Sequence, residues 1–461
     1  MKIQIKELGA INKAIIDLDK PLTLFCGQNN TGKTYLAFVI FALTKDNLNI
    51  GRYPFKINIA QLVEKGYYEF DIDSDKIYAY KLKTIADVKS NLDTIFGISE
   101  EVAKQMFSKF DIKFDISPGN SQEKVLMIEF NEYVSADKYK FKLSKSKNSL
   151  TVKLELIDLE EYTGILKNEM FEFILPSIIT NRIAFYPISN SVIFPVERNS
   201  IFTFSRELSI SRNVLIEQMQ LLSKNEKINP FDLLRKGSNR YPLAIREGLI
   251  VSNDLQNIQK TKSEFYDIAT KIEEELLSGS LQVTKDGNVE FVSFKNKGKR
   301  LPIHMTASIV KTLSSLVFYL KYRAEKGDLI IIDEPEMNLH PDSQIILTRL
   351  FAKLLSKGFR LLISTHSDYI IREFNNLIMI SSKKEEVKKL VNEFSYDIDD
   401  AILPSDVGCY YFHFATNTSR QVTVKELVVD KNGFEIESID REINAQNDRA
   451  MSLNYAINNE E

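Results

Sequence analysis

The chain predicts an α/β fold built on buried apolar strands, and three stretches of sequence carry that expectation. An apolar run at 22–26 enters Gly27-Gln28-Asn29-Asn30-Thr31-Gly32-Lys33-Thr34, and residues 35–43 follow without Gly or Pro. A second run, Leu329-Ile330-Ile331-Ile332, ends in Asp333-Glu334, and a third at 359–363 ends in Ser364-Thr365-His366-Ser367. Short unbroken apolar runs between polar turns are the pattern of strands covered on both faces. Each of these would deliver chemically active side chains at its carboxyl end.

Composition bounds what such a fold can be. Of 461 residues, 44% are hydrophobic, enough for one large core or two to three smaller ones. Sixty basic and 63 acidic residues leave a formal charge of -3, so no global field draws the chain to nucleic acid or to an anionic membrane. A nucleic-acid contact would need a local patch. Cys26 and Cys409 make neither a disulfide framework nor a metal-ligand spacing, which fits a reducing cytoplasm. The opening Met1-Lys2-Ile3-Gln4-Ile5-Lys6 alternates like a strand and lacks the apolar run of a signal peptide or membrane helix, so neither secretion nor membrane insertion is expected.

In chain order, residues 2–11 and 13–18 read as two short strands with Gly9 at a turn between them. The stretch from Gly27 to Thr34 then matches G-x-x-x-x-G-K-[ST] at every fixed position, between a strand and a helix, which is the context a P-loop needs. Its glycines let the backbone turn so that successive N–H groups and a helix N-terminus face one anion. Gly27, Gln28, Asn29, Asn30, Thr31, Gly32, Lys33 and Thr34 are therefore expected to cradle the phosphates of ATP. Lys33 would reach the β- and γ-phosphates and the Thr34 hydroxyl would ligate Mg2+.

Residues 1–46 thus open a nucleotide-binding head. From 47 to 179 the pattern changes to a mixed, β-rich insertion with strand-like pieces at 67–72, 124–130 and 138–143 and a helical piece near 99–110. Asp71-Ile72-Asp73 within it reads as a solvated edge or turn rather than a metal site. The head resumes at 180–206, where a strand-like run ends in Pro195-Val196-Glu197-Arg198-Asn199-Ser200. Across 207–279, Val251, Ile258, Phe265 and Ile272 recur every seven residues with Leu255, Ala269 and Leu276 between them, a heptad seam. Paired with Leu208, Leu215, Met219 and Leu222, it suggests a short, coiled-coil-like helical hairpin, either projecting as an arm or lying against the core.

The last head piece, 280–461, starts with a hairpin turning at Asp286-Gly287 between 280–284 and 288–294. Lys295, Lys297, Lys299 and Arg300 come next as a basic run that reads as a solvated loop, with phosphate contact the alternative. Asp333 is then placed to hold magnesium through water, and Glu334 to orient or deprotonate an attacking water. His366, at the end of the next strand, would contact the γ-phosphate or that water. Terminal strands at 408–414 and 422–429 and a helix at 439–456 complete the chain.

The order of P-loop, Asp333-Glu334-Pro335-Glu336 through Leu339-His340-Pro341, and Ser364-Thr365-His366-Ser367 resembles the ATPase heads of ABC transporters, SMC-type chromosome proteins and the overcoming-lysogenization-defect class of anti-phage ATPases. Leu339-His340-Pro341 and Pro195-Val196-Glu197-Arg198 look most like the last group. The resemblance covers residues 1–44 and about 180–440. It implies an ABC-type head that hydrolyses ATP between two subunits, with Ser308 standing where a signature serine caps a neighbour's γ-phosphate. No Gly pair comes after Ser308, unlike the transporter pattern, and Thr306 or Ser308 would also serve as the N-cap of the next helix.

The residues after Ser367 leave no room for the Toprim domain of the related nucleases, so the chain is most similar to standalone defence ATPases, those of the phage anti-restriction-induced system or of Septu. The implied role is a cytoplasmic sensor and scaffold that forms a dimer or higher homo-oligomer. It would hold a separate toxic effector, a nuclease, until a phage-encoded trigger or nucleic acid alters its ATP-dependent assembly. Two other roles compete. The missing Gly-rich signature and the 47–179 insertion argue against an ABC transporter subunit, and the short heptad run and balanced charge argue against an SMC-type DNA-repair head.

Overall fold

The computed structural model describes residues 1–45, 54–114, 121–136, 139–157, 171–204, 241–295, 298–382, 384–416 and 419–458. In chain order its strands are β1 (Lys2–Leu8), β2 (Ile11–Asp17), β3 (Leu22–Gly27), β4 (Tyr67–Asp71), β5 (Asp111–Phe114), β6 (Phe130–Ala136), β7 (Tyr139–Lys145), β8 (Thr151–Leu156), β9 (Ser191–Phe194), β10 (Gly279–Val283), β11 (Val289–Ser293), β12 (Arg300–Pro302), β13 (Leu329–Asp333), β14 (Arg360–Thr365), β15 (Val407–Phe414) and β16 (Val422–Leu427). Nine of them form the main sheet, in the order β5-β1-β2-β16-β15-β3-β14-β13-β9.

The run β15-β3-β14-β13-β9 is parallel throughout. Its three inner strands are the three apolar runs of the sequence, and every residue of β3, β13 and β14 is buried. Beyond β15 the sheet turns to antiparallel pairs, β15 with β16, β2 with β1 and β1 with β5, joined by a parallel contact between β16 and β2. A parallel P-loop core flanked by antiparallel strands is the ABC-type arrangement expected from the sequence. Burial of both sheet faces is what makes those strands read as continuous apolar stretches.

Two apolar clusters cover the faces. On one side the helix Lys33–Thr44 packs with β1, β2 and much of the 54–157 region, through Leu36, Phe38, Ile40 and Phe41. The helices Ser308–Tyr322, Pro341–Ser356 and Asp368–Met379 cover the other side, burying Val317, Phe318, Leu347, Phe351, Ile370 and Phe374 against Leu24, Ile330, Ile332 and Ile363. Among the described residues no helix is long and apolar enough to cross a membrane.

The insertion holds a separate antiparallel sheet, β4-β8-β7-β6. Two local readings need correction there. Residues 124–130 are not a strand: the helix Ser121–Met127 occupies most of them and β6 starts only at Phe130. The 17-residue helix Ser74–Ser90, which the sequence reading did not name, buries Ile77, Tyr80, Thr84, Ile85 and Val88 along one face and turns its Lys and Asp residues away. Asp71 and Asp73 are structural. Asp71 accepts a hydrogen bond from the Thr151 hydroxyl at 2.7 Å, and Asp73 caps that helix by accepting from the N–H groups of Asp75 and Lys76.

The heptad seam is not one helix. Leu243–Asn253 and Leu255–Ile258 end before a break, and helix resumes at Tyr266–Ile272 with a π-helical turn, Glu273–Leu277. Docking outweighs helix continuity here. The Ser263 N–H donates to Lys321 O at 2.8 Å, its hydroxyl donates to Leu320 O, and the Phe265 ring stands edge-on to Phe359 at 4.5 Å. A buried Glu273–Lys321 ion pair at 2.7 Å adds a second anchor, so residues 265–277 belong to the core. Leu208, Leu215, Met219, Leu222 and Lys297 lie outside the described residues.

The loop into β13 carries a buried acid. Asp328 accepts hydrogen bonds from the Tyr319 hydroxyl at 2.5 Å and the Glu325 N–H at 3.0 Å, while its other oxygen makes no hydrogen bond. Burial pushes its carboxyl up to about 7. An unfolded Asp titrates near pH ~4, so the folded state holds this proton more tightly. The stabilisation it brings is complete below about pH 4 and is lost as pH rises through about 7. Asp328→Asn keeps an acceptor for Tyr319 and cannot ionise. Thermal unfolding across pH should show the variant melting higher than wild type at pH 8, by roughly 2–4 °C if about 1 kcal/mol is regained, with the gap closing towards pH 4. Parallel curves at all pH values would refute this.

Candidate nucleotide-binding site

Strand register assembles the site. Asp333 lies opposite Ser364, Thr365 opposite Cys26, and Gly27 opposite Phe412, so β13, β14, β3 and β15 end at one level. At Gly27 the backbone has φ +133°, and an added Cβ would lie 2.1 Å from Phe412 O. Only glycine lets the loop leave β3 this close to β15. Gly32 has φ +88° and directly precedes the helix Lys33–Thr44. Between the glycines the Thr31 hydroxyl donates to Gln28 O at 2.7 Å, while the side chains of Gln28, Asn29 and Asn30 are exposed.

Lys33 folds over this loop, its ammonium donating to Gly27 O at 2.9 Å and Gln28 O at 2.7 Å. Burial pulls its pKa below the usual lysine range, opposed by Asp333, Cys26, Glu334 and Glu336. The Thr34 hydroxyl donates to Asp333 Oδ2 at 2.7 Å, across 299 residues of sequence. Asp333 is fully buried, and its Oδ1 makes no hydrogen bond.

Glu334 has the left-handed φ of +48°, which a Glu adopts only at a cost of order 1 kcal/mol. Its N–H still donates to Ser364 O at 2.8 Å. Partial burial pushes its carboxyl above the usual range; His366 pulls it back, and Asp333 and Glu336 push it up. His366 Nδ1 lies 3.9 Å from Glu334 Oε1 and 3.3 Å from Glu336 Oε1. A proton on Nδ1 facing Glu336 leaves Nε2 as the acceptor.

Thr34, Lys33, Asp333, Glu334 and His366 thus lie together at the ends of β3, β13 and β14. Ser308 does not join them within one chain. It opens the helix Ser308–Tyr322 in an exposed position, and among the described residues no hydrogen bond or ion pair ties it to the loop. The N-cap of that helix is Ala307, without a side-chain bond, rather than Thr306 or Ser308; the Thr306 hydroxyl turns back to Ile303 O at 2.7 Å. His340 is the exposed N-cap of the helix Pro341–Ser356.

Sequence reasoning missed two residues. Glu336, almost buried, accepts through Oε1 from the Thr365 hydroxyl and the His366 N–H, both at 2.9 Å, and so fixes the end of β14. Arg198 lies behind the acids and donates to the carbonyl oxygens of Asp333 at 2.6 Å and Glu334 at 2.7 Å. Burial lowers its guanidinium to about 10. The signals were a second Glu two positions after Glu334 and an Arg three positions after the Pro next to β9. Neither spacing announces a contact across the sheet.

A P-loop at the end of a parallel sheet, faced by an acidic strand end and an imidazole, defines a nucleotide-binding α/β protein. The family model described as the AAA ATPase domain matches residues 1–371, and the chain belongs to that family of ATPases. Among solved structures, it is similar to the Smc head domain with an extended coiled coil bound to the C-terminal domain of ScpA, from Pyrococcus furiosus. That likeness has 12% identity over 96% of this chain and 98% of the other, with a TM-score of 0.35. The SMC head domain from Thermotoga maritima is 9% identical over 92% and 98%, with a TM-score of 0.30. No curated protein matches the sequence.

The residues fit ATP and magnesium. Backbone N–H groups at the N-terminus of the helix Lys33–Thr44, with Lys33, suit a polyphosphate. The Thr34 hydroxyl and the unsatisfied Asp333 Oδ1 are hard oxygen donors that suit magnesium. Among the described residues no group of three or more His, Cys, Asp or Glu could hold a metal ion unaided, so an ion here would complete its shell with phosphate and water. Lys33→Ala should weaken ATP binding by about 100-fold, the worth of charge-assisted hydrogen bonds to the phosphates. Calorimetric titration of the folded variant checks it, and wild-type affinity would remove the loop from the binding site.

Proposed function

We propose that this chain hydrolyses ATP, with magnesium, as the sensor and scaffold subunit of an anti-phage defence system and thereby controls a separate effector, a nuclease. The observation that carries the hydrolytic part is the meeting of Thr34 with Asp333 beside a Glu334 and His366 pair. Bound ATP would supply the phosphoryl group, and magnesium would neutralise charge on its oxygens. Lys33 and the loop amides would hold the phosphates, Thr34 and Asp333 would hold the ion, and Glu334 would take a proton from the water that attacks the γ-phosphorus as its bond to the ADP oxygen breaks. The raised pKa of Glu334 makes it a better base than a solvated carboxylate, with His366 opposing part of the rise. The defence role is supported by the sequence resemblance of Leu339-His340-Pro341 and Pro195-Val196-Glu197-Arg198.

The exposed N-terminus of the Ser308 helix supports a shared site, in which Ser308 of one copy completes the phosphate shell of another. Glu334→Gln should hold ATP while hydrolysis falls about 100-fold or more. Ser308→Arg should also be inactive. Mixing the two leaves an interface with one normal Glu334 and one normal Ser308, so part of the activity should return. Mixtures that exchange labelled subunits without recovering activity would point to an ATPase complete within one chain. Genomic neighbours test the biological part: an adjacent nuclease gene fits the proposal, and a permease gene or a repair operon contradicts it.

A further inference from the structure

Arg198 is a costly residue to bury. It is 3% exposed, and its hydrogen-bond acceptors are main-chain carbonyls: Nη1 donates to Pro195 O at 3.0 Å and Asp333 O at 2.6 Å, and Nη2 to Glu334 O at 2.7 Å. A charge held this way gains less than one paired with a carboxylate, so its worth lies in the geometry it imposes. Phe194 pairs with Ile332 at the edge of the sheet, so the chain leaves β9 at the level of Asp333. The Arg198 N–H closes a tight turn onto Pro195 O at 3.0 Å, which brings the guanidinium behind the strand end.

Successive carbonyls along an extended strand point in opposite directions, and successive side chains point to opposite faces. Here two successive carbonyls meet one planar guanidinium, and Glu334, the second of the two residues, has φ +48°. The fork and the Glu334 N–H bond to Ser364 O hold that kink from two sides. Its consequence is that Asp333 and Glu334 both act on the P-loop side. Asp333 receives the Thr34 hydroxyl of the P-loop, and Glu334 Oε1 lies 3.9 Å from the His366 ring at the end of the next strand.

We propose that Arg198 is a positioning residue for ATP hydrolysis: its two-pronged hold on the Asp333 and Glu334 carbonyls fixes the backbone kink that aims both acids at the P-loop. The inference rests on the ATPase reading. Arg198 touches neither the phosphate loop nor Glu334's carboxylate by hydrogen bond, so it acts through the backbone. Lysine replaces it poorly: an ammonium can donate to two carbonyls, as Lys33 does, but on its flexible stem it lacks the rigid planar fork that fixes the angle between them.

The test compares wild type, Arg198→Lys and Arg198→Ala by steady-state kinetics, ATP titration calorimetry and thermal unfolding. Both variants should lose about 100-fold in kcat, the scale of a small misplacement of catalytic groups, and should lose affinity for ATP only when magnesium is present, because Asp333 is misaimed along with Glu334. Millimolar guanidinium chloride should raise kcat in Arg198→Ala and leave Arg198→Lys unchanged, a rescue that a purely structural role would not show. Wild-type kcat in folded Arg198→Lys overturns the assignment. So does a loss of activity in both variants that tracks their unfolded fraction. If wild type itself neither binds nor hydrolyses ATP, the underlying reading fails; if wild type is active and only the variants behave otherwise than stated, the fault lies with Arg198 alone.

Discussion

The hydrogen bond between the Thr34 hydroxyl and Asp333 Oδ2 is the contact on which the rest of the site depends. It joins the last residue of the P-loop to the end of a strand that lies two places away in the sheet, with β14 between. That contact is possible only because β3, β14 and β13 run parallel and stop in register. A slip of one residue would turn each side chain to the opposite face and break the site while leaving the sheet intact. The apolar strands are buried on both faces, Phe25, Ile331 and Leu362 in one helix-covered cluster and Leu24, Ile330, Ile332 and Ile363 in the other, and so give the strand ends a rigid frame.

Gathering acids at one strand end has a cost that the surroundings offset. Asp333, Glu334 and Glu336 lie within four residues, and like charges at this separation resist joint ionisation. Lys33, His366 and Arg198 approach from three sides, and each bears on the acids in a different way: an ammonium over the loop, an imidazole at the rim and a fixed guanidinium behind. Glu336 accepts hydrogen bonds from the Thr365 hydroxyl and the His366 N–H, and so joins the ends of β13 and β14.

The range of each interaction decided whether the sequence revealed it. The P-loop, the acidic strand end and the Ser364–Ser367 turn are local patterns whose chemistry is written in consecutive residues, and the strands beneath them were legible as apolar runs. Arg198 and Glu336 act across strands, and no local spacing encodes which carbonyl a buried guanidinium will meet. The heptad spacing of 251–276 left open whether this stretch projects or lies on the core, because periodicity reports which residues are apolar, not what they pack on; Phe265 and Ile272 follow the second alternative, docking on Phe359 and the Ser308–Tyr322 helix, though not as one helix. The Ser74–Ser90 helix went unread although its local signal is present, since Ile77, Tyr80, Thr84, Ile85 and Val88 fall at i, i+3, i+7, i+8 and i+11 on one face. Ser308 remained an inference from resemblance, because a contact between two chains leaves no trace in one.

The central claim is that Thr34 and Asp333 serve one bound magnesium ion. A double-mutant cycle on the affinity for ATP with magnesium, using Thr34→Ala, Asp333→Asn and the pair, tests it most directly. Two residues that share an ion lose most of their benefit when either is changed, so the double variant should bind little worse than the weaker single variant, with a coupling of about 1 kcal/mol or more. The coupling should vanish when the titration is repeated without magnesium. Losses that simply add, with or without the metal, would contradict a shared ion and reduce the contact between Thr34 and Asp333 to a structural hydrogen bond.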